Sequence, residues 1–139
     1  MSLHAAHPLQ PTPPARARWF PGRPESISEV RRFVSEELPD HPRQDDAILL
    51  TSELATNAVE HTRSGQQDGG FLVVVERTYT EVVRITVHDS GSRQETLYVT
   101  EPGADDEHGR GLFIVDALAD RWGSRNGWHG RETWFEIDN

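Results

Sequence analysis

The sequence contains no cysteine and no lysine; all 14 basic residues are arginine. Without cysteine there is no disulfide framework and no thiolate zinc site, a composition that suits a reducing cytosol. Without lysine, both the phosphate-binding lysine of a Walker A loop and Schiff-base chemistry are excluded. No apolar run approaches the roughly 18 residues of a membrane span. Met1 to Ala15 lacks the basic region and apolar core of a secretory signal. A membrane partner is therefore not expected, and the cytoplasm is the expected location. The net charge of −9 offers no overall positive field to nucleic acid. His61, His88, His108 and His129 show no metal-ligand spacing, and no His-Glu-x-x-His occurs.

What is present fits one domain: 139 residues with 35% hydrophobic character, long enough for a single core. Residues 1–15 carry Pro8, Pro11, Pro13 and Pro14 with little to bury and are expected to form a disordered arm, leaving residues 16–139 as the domain. Arg16 to Phe20 suits a short edge strand stopped by Pro21-Gly22. Ser26 and Glu29 have capping-box spacing ahead of an amphipathic stripe of Ile27, Val30, Val34 and Leu38, which predicts a helix that Pro39-Asp40 ends. Asp40 is the candidate cap of a second helix over 42–62, with Leu50, Leu54 and Ala58 as its apolar stripe. Phe71 to Arg77 and Val82 to His88 read as strands joined by a hairpin. Residues 93–108 form a long polar loop rich in acid side chains, a length that points to a lid or to disorder. A helix over 110–120 and two strands at about 121–126 and 131–137 complete the chain. Trp122, Trp128 and Trp134 lie in or beside that last hairpin, where core or edge packing is expected. Helices laid on one face of a mixed, mostly antiparallel sheet make a two-layer α+β sandwich.

Three stretches carry chemistry. On the second helix, Glu53 and Asn57 are four residues apart and stack one turn above each other. They offer a proton acceptor and a neutral oxygen for a hard cation. Asp89-Ser90-Gly91 follows directly on a strand, where a carboxylate can accept from an exocyclic amine while a glycine lets a flat ring approach. Gly109-Arg110-Gly111-Leu112 is placed to open a helix, where unpaired N–H groups and the helix dipole favour an anion. Each stretch has an ordinary alternative: a solvated helix edge, a strand-to-loop turn, a helix-opening glycine pair. In this order they supply partners for metal, adenine and phosphate, with the 92–108 loop placed to close over them.

These stretches carry a resemblance. Glu53 to His61 resembles the N box of the Bergerat-fold ATPases, the superfamily of gyrase and sensor histidine kinases. Asp89-Ser90-Gly91 resembles the first glycine box of that superfamily, and Gly109 to Val115 resembles the second. The short domain, the spacing and the Thr133-Trp134-Phe135-Glu136 strand are most similar to the anti-sigma-factor serine kinases, small bacterial regulators that sequester a sigma factor and phosphorylate an antagonist protein. The resemblance spans roughly residues 16–137. It implies the Bergerat two-layer fold and an ATP- and Mg²⁺-dependent protein serine/threonine kinase. Glu53 would be the general base and Asn57 the Mg²⁺ ligand. Asp89 would hold the adenine amino group with Gly91 lining the base pocket. Gly109, Arg110, Gly111 and Leu112 would hold the phosphates. A sigma factor and an antagonist protein would be the partners, and related regulators often dimerise.

The sequence departs from the family pattern at three places. Arg93 stands where a further glycine is usual. Glu132 competes with Thr133 for the place of the threonine near adenine. The lid is acidic, which opposes a polyphosphate unless those side chains face away. A second reading follows: a non-catalytic module of the same fold that holds a partner, with ATP as a structural ligand or absent. The intact Glu53 favours the kinase. The ATPase half of a two-component histidine kinase fits less well, because only a short segment precedes the N box in this sequence.

Overall fold

The computed structural model describes residues 14–61, 69–78, 80–89, 106–127 and 130–139, with His61 and residues 106–111 described in backbone only. The elements are β1 (Arg16–Pro21), α1 (Ser26–Glu37), α2 (Gln44–His61), β2 (Gly70–Arg77), β3 (Val83–Asp89), α3 (Asp106–Leu118), β4 (Arg121–Gly127) and β5 (Gly130–Ile137). Residues 1–13, most of the expected arm, lie outside the described residues. So does the lid segment 90–105, with Gly91 and Arg93, and so does Trp128.

The five strands form one sheet in the order β1-β2-β3-β5-β4. Every neighbouring pair is antiparallel, so the expected mixed sheet is antiparallel throughout the described residues. Alternation sets its two faces. Phe71, Val73 and Val75 of β2, Val83, Ile85 and Val87 of β3, and Phe135 and Ile137 of β5 are buried beneath the helices. The continuous apolar run of β2 divides between the faces: Leu72 and Val74 point outward, with Leu72 opposite Trp19 in the β1 register. Trp134 is also on the outer face, where the Arg84 guanidinium stacks 4.0 Å from its ring.

The helices lie on the inner face, with α2 between α1 and α3 and over β3 and β2. Its buried stripe, Ala47, Leu50, Leu54, Ala55 and Ala58, mixes two leucines with three alanines, and the small side chains let the helix sit close to the sheet. Phe20 closes the β1 end of the core against Phe71 at 5.6 Å and Phe33 at 6.0 Å between ring centroids. Full burial of one such side chain stabilises the fold by about 1.5–3 kcal/mol. Trp122 packs on the other end of the core, and its Nε1 donates to Asp116 of α3 at 2.9 Å.

Three expectations about helix ends are corrected. Ser26 makes no capping box. The preceding residue, Glu25, is already helical, and the buried Ser26 hydroxyl donates to the Pro21 carbonyl at 2.6 Å. It thus ties α1 to the end of β1. Asp40 does not cap α2; it sits in a left-handed turn at φ 64°. In the turn that precedes Gln44, the His41 Nδ1 accepts from the Arg43 N–H at 2.9 Å. Finally, α3 begins at Asp106 rather than at the glycines. Acidic residues are favoured in a first turn by the helix dipole, and Asp106-Glu107 extend the helix upstream.

Candidate functional site

Two rows of side chains cross the inner face of the sheet at one end. In the outer row, Asp89 at the tip of β3 is in register with Arg131 of β5, which is in register with Asn126 of β4. Arg131 is only 9% exposed, and its Nε donates to the Asn126 Oδ1 at 3.2 Å. In the inner row, Val87, Thr133 and Ser124 follow one another across the same three strands. Thr133 is buried, and its hydroxyl is 3.1 Å from the Ser124 hydroxyl.

The helices supply the facing wall. Leu54 and Asn57 of α2 and Leu112 of α3 meet Val87, Asp89, Ser124, Arg131 and Thr133 around one narrow pocket of about 20 Å³, room for about one water. Asn57 is half-buried there, with its side chain on the pocket wall. Glu53 is half-buried one turn away on the same helix, outside the pocket lining. Asp89 and Arg131 also border a wider pocket of about 410 Å³ toward the β4–β5 turn, lined further by His88, Arg125, Gly127, Gly130 and Glu132.

Thus Asn57, Asp89, Leu112 and Thr133, read from separate parts of the sequence, share one pocket. Strand alternation separates Glu132 from Thr133. Thr133 faces the helices, while Glu132 lies on the other face and pairs with Arg125 at 2.9 Å. Gly109, Arg110 and Gly111 lie within α3 and not at its start, so the N–H groups of its first turn belong to residues 106–109. Gly91 falls outside the described residues. Sequence reasoning missed Arg131 and Ser124. Arg131 left a signal: it shares the buried parity of Thr133, Phe135 and Ile137, and an arginine on a core-facing parity needs a polar partner there.

One network fixes the two helices that carry the pocket. Arg43 at the start of α2 donates to the Leu118 carbonyl at 2.7 Å, to Asp120 at 2.6 Å and to Asp46 at 3.1 Å. Asp120 also accepts from the Asp138 backbone N–H at 2.8 Å. That backbone bond, followed by Arg43 acting against the cost of burial, holds the Asp120 carboxyl below its ordinary value. The start of α2, the end of α3 and the end of β5 are thereby joined. Beside it, His41 is 7% exposed and its Nε2 has no hydrogen-bond partner among the described residues. Burial first, and then the charges of Arg77 and Arg43, push its pKa down.

A pocket walled by an asparagine helix, a strand-end aspartate and a late threonine is the pattern to compare with known proteins. Residues 20–137 match the histidine kinase-like ATPase domain family. The chain belongs to this family. Among similar proteins, the ATPase domain is 28% identical over 115 residues to the serine-protein kinase RsbW of Listeria innocua, covering 73% of each chain. It is 35% identical over 72 residues to an uncharacterized protein of Streptomyces coelicolor, covering 52% of this chain and 66% of that one. Its fold matches the crystal structure of the RsbU and RsbW domains of Rv1364c from Mycobacterium tuberculosis with a TM-score of 0.69 at 21% identity. That match covers 91% of this chain but only 32% of the other. The ATPase domain therefore has the two-layer architecture expected from its sequence, and no helix among its described residues is long and apolar enough to cross a membrane.

Proposed function

We propose that this domain is an ATP- and Mg²⁺-dependent protein serine/threonine kinase of the anti-sigma-factor type, which phosphorylates an antagonist protein and holds a sigma factor in the cytoplasm. The observation that carries this reading is the convergence of Asn57 from α2 with Asp89 and Thr133 from β3 and β5 on a single pocket. The likeness to serine-protein kinase RsbW supports the substrate class.

In this reading Asp89 accepts from the adenine amine, and Thr133 offers a hydroxyl beside it. The Asn57 Oδ1 is a hard, neutral donor of the kind Mg²⁺ takes when phosphates and water fill its other positions. Gly109 to Leu112 stand beside the phosphates. Bound Mg²⁺ would screen the β- and γ-phosphate charge. Glu53 accepts the proton of the attacking serine or threonine hydroxyl as that oxygen bonds to the γ-phosphorus. The bond from the β–γ bridging oxygen to the γ-phosphorus breaks, and ADP leaves. Such a transfer relies on positioning and charge stabilisation.

The non-catalytic module is supported by one observation, the narrow pocket with Arg131 buried beside Asp89. The two readings separate on incubation with γ-labelled ATP, Mg²⁺ and candidate antagonist proteins from the same genome. The kinase transfers label to a serine or threonine of one of them, and Glu53→Gln abolishes transfer while ATP still binds. Binding without transfer to any antagonist would leave the module as the correct reading.

A further inference from the structure

Resting on the ATP-binding reading, we infer that Arg131 reads the nucleobase directly, donating to the ring nitrogen N1 of adenine while Asp89 accepts from the neighbouring amine. Three features carry this. First, Asp89 and Arg131 are register partners on adjacent strands with side chains on the same face, so an acceptor and a donor stand side by side. The six-membered-ring edge of adenine presents the complement, an N6 amine beside an N1 acceptor. Second, both residues line the narrow pocket that Asn57 enters, and both continue into the wider one. Third, Arg131 is held rather than loose. It is 9% exposed, and Asn126 on the far side accepts from Nε, one of the five donors of a guanidinium. A planar, anchored donor array loses little freedom on meeting a flat ring.

The row Asp89-Arg131-Asn126 therefore has the order acceptor, donor, anchor. Guanine presents a carbonyl and an N1–H at the same edge, so it offers two mismatches to a base seated with its six-position on Asp89. The arrangement selects adenine twice over, once by its amine and once by its ring nitrogen.

The test is calorimetric binding to the full chain with Mg²⁺, using ATP, GTP and 1-deaza-ATP, in which N1 is replaced by C–H. The wild-type chain should bind 1-deaza-ATP about tenfold or more weakly than ATP, the scale of one charge-assisted hydrogen bond. Arg131→Leu should lose a similar factor on ATP and show no further loss on 1-deaza-ATP. The wild-type comparison needs no variant, so equal binding overturns the inference even where Arg131→Leu does not fold, and Arg131→Gln, which keeps a donor of smaller reach, then serves as the second variant that assigns the contact to residue 131. Equal binding of ATP and 1-deaza-ATP by the wild-type chain overturns the inference and leaves the ATP reading intact. So does tighter ATP binding by Arg131→Leu, which would make Arg131 a plug. GTP binding tighter than ATP also overturns it. Absence of binding to any of the three removes the ATP reading and this inference with it.

Discussion

Replacing Arg43 by leucine removes three hydrogen bonds, two of which tie the start of α2 to the end of α3 and the residue beyond it, and the structure sets the size of the effect. The side chain is 27% exposed and its partner Asp120 35%, so the pair is neither dry nor fully screened. The bond to the Leu118 carbonyl is charge-assisted and part-buried, worth about 1–1.5 kcal/mol. The partly exposed Asp120 pair adds about 0.5–1 kcal/mol, and Asp46, three residues along the same helix, about 0.3 kcal/mol. The expected loss is about 2–3 kcal/mol, or about 8–12 °C in Tm for a domain of this size. Thermal unfolding followed by far-ultraviolet circular dichroism measures it. Arg43→Lys keeps one contact at most and should fall between the two. Combining Arg43→Leu with Asp120→Asn should cost about 0.5–1 kcal/mol less than the two changes added separately, because they share one contact. A shift of less than about 3 °C for Arg43→Leu would refute the reasoning that this network holds α2 to α3.

Other outcomes follow from the same structure. His41 has its pKa lowered below the ordinary 6.5, so the unfolded chain takes up this proton first; stability is full above pH 6.5 and falls as the pH drops toward the folded value. Denaturant midpoints between pH 7.5 and 5 should show that decline, and His41→Asn, which keeps an acceptor for the Arg43 N–H but does not titrate, should reduce it. At Gly123, an added Cβ would meet the Trp134 ring at 2.8–2.9 Å, so Gly123→Ala should displace the indole from beneath Arg84, change its fluorescence and cost about 1–3 kcal/mol. Asn57→Ala should leave the fold unchanged and remove the Mg²⁺ dependence of ATP binding in calorimetry. If the Mg²⁺ dependence persists in this variant, Asn57 is not the metal ligand.

The elements were legible because their periods are clean. The alternating Val83-Ile85-Val87 and the four-residue stripe Leu50-Leu54-Ala58 bury the side chains that pattern assigns to the core, while the unbroken apolar run Phe71 to Val75 marked a strand without showing that Leu72 and Val74 face outward. The helix ends were less legible, because a cap is a contest between neighbours. Ser26 had a carbonyl to bond in Pro21, and His41 reached the Arg43 N–H that Asp40 was expected to serve near the helix start. The pocket was legible in Asn57, Asp89, Leu112 and Thr133 but not in Arg131. Its role comes from register, and register between β3 and β5 cannot be read from two segments separated by a helix and another strand. Ser124 was hidden for the same reason, since only its pairing with Thr133 brings it to the site.

The strand order has a consequence for how the protein is made. Because β5 inserts between β3 and β4, the sheet side of the narrow pocket joins Asp89 to Arg131 and Thr133, which lie well downstream of it in the chain. During translation, β2 and β3 can pair as a hairpin with β1 beside β2, while β3 keeps one edge open. The nascent domain then exposes the open edge of the strand that carries Asp89, a template for pairing with the wrong chain until residues 130–137 emerge. The pocket is thus complete only once β5 has paired, and a ribosome-stalled product lacking β5 would leave the free edge of β3 exposed.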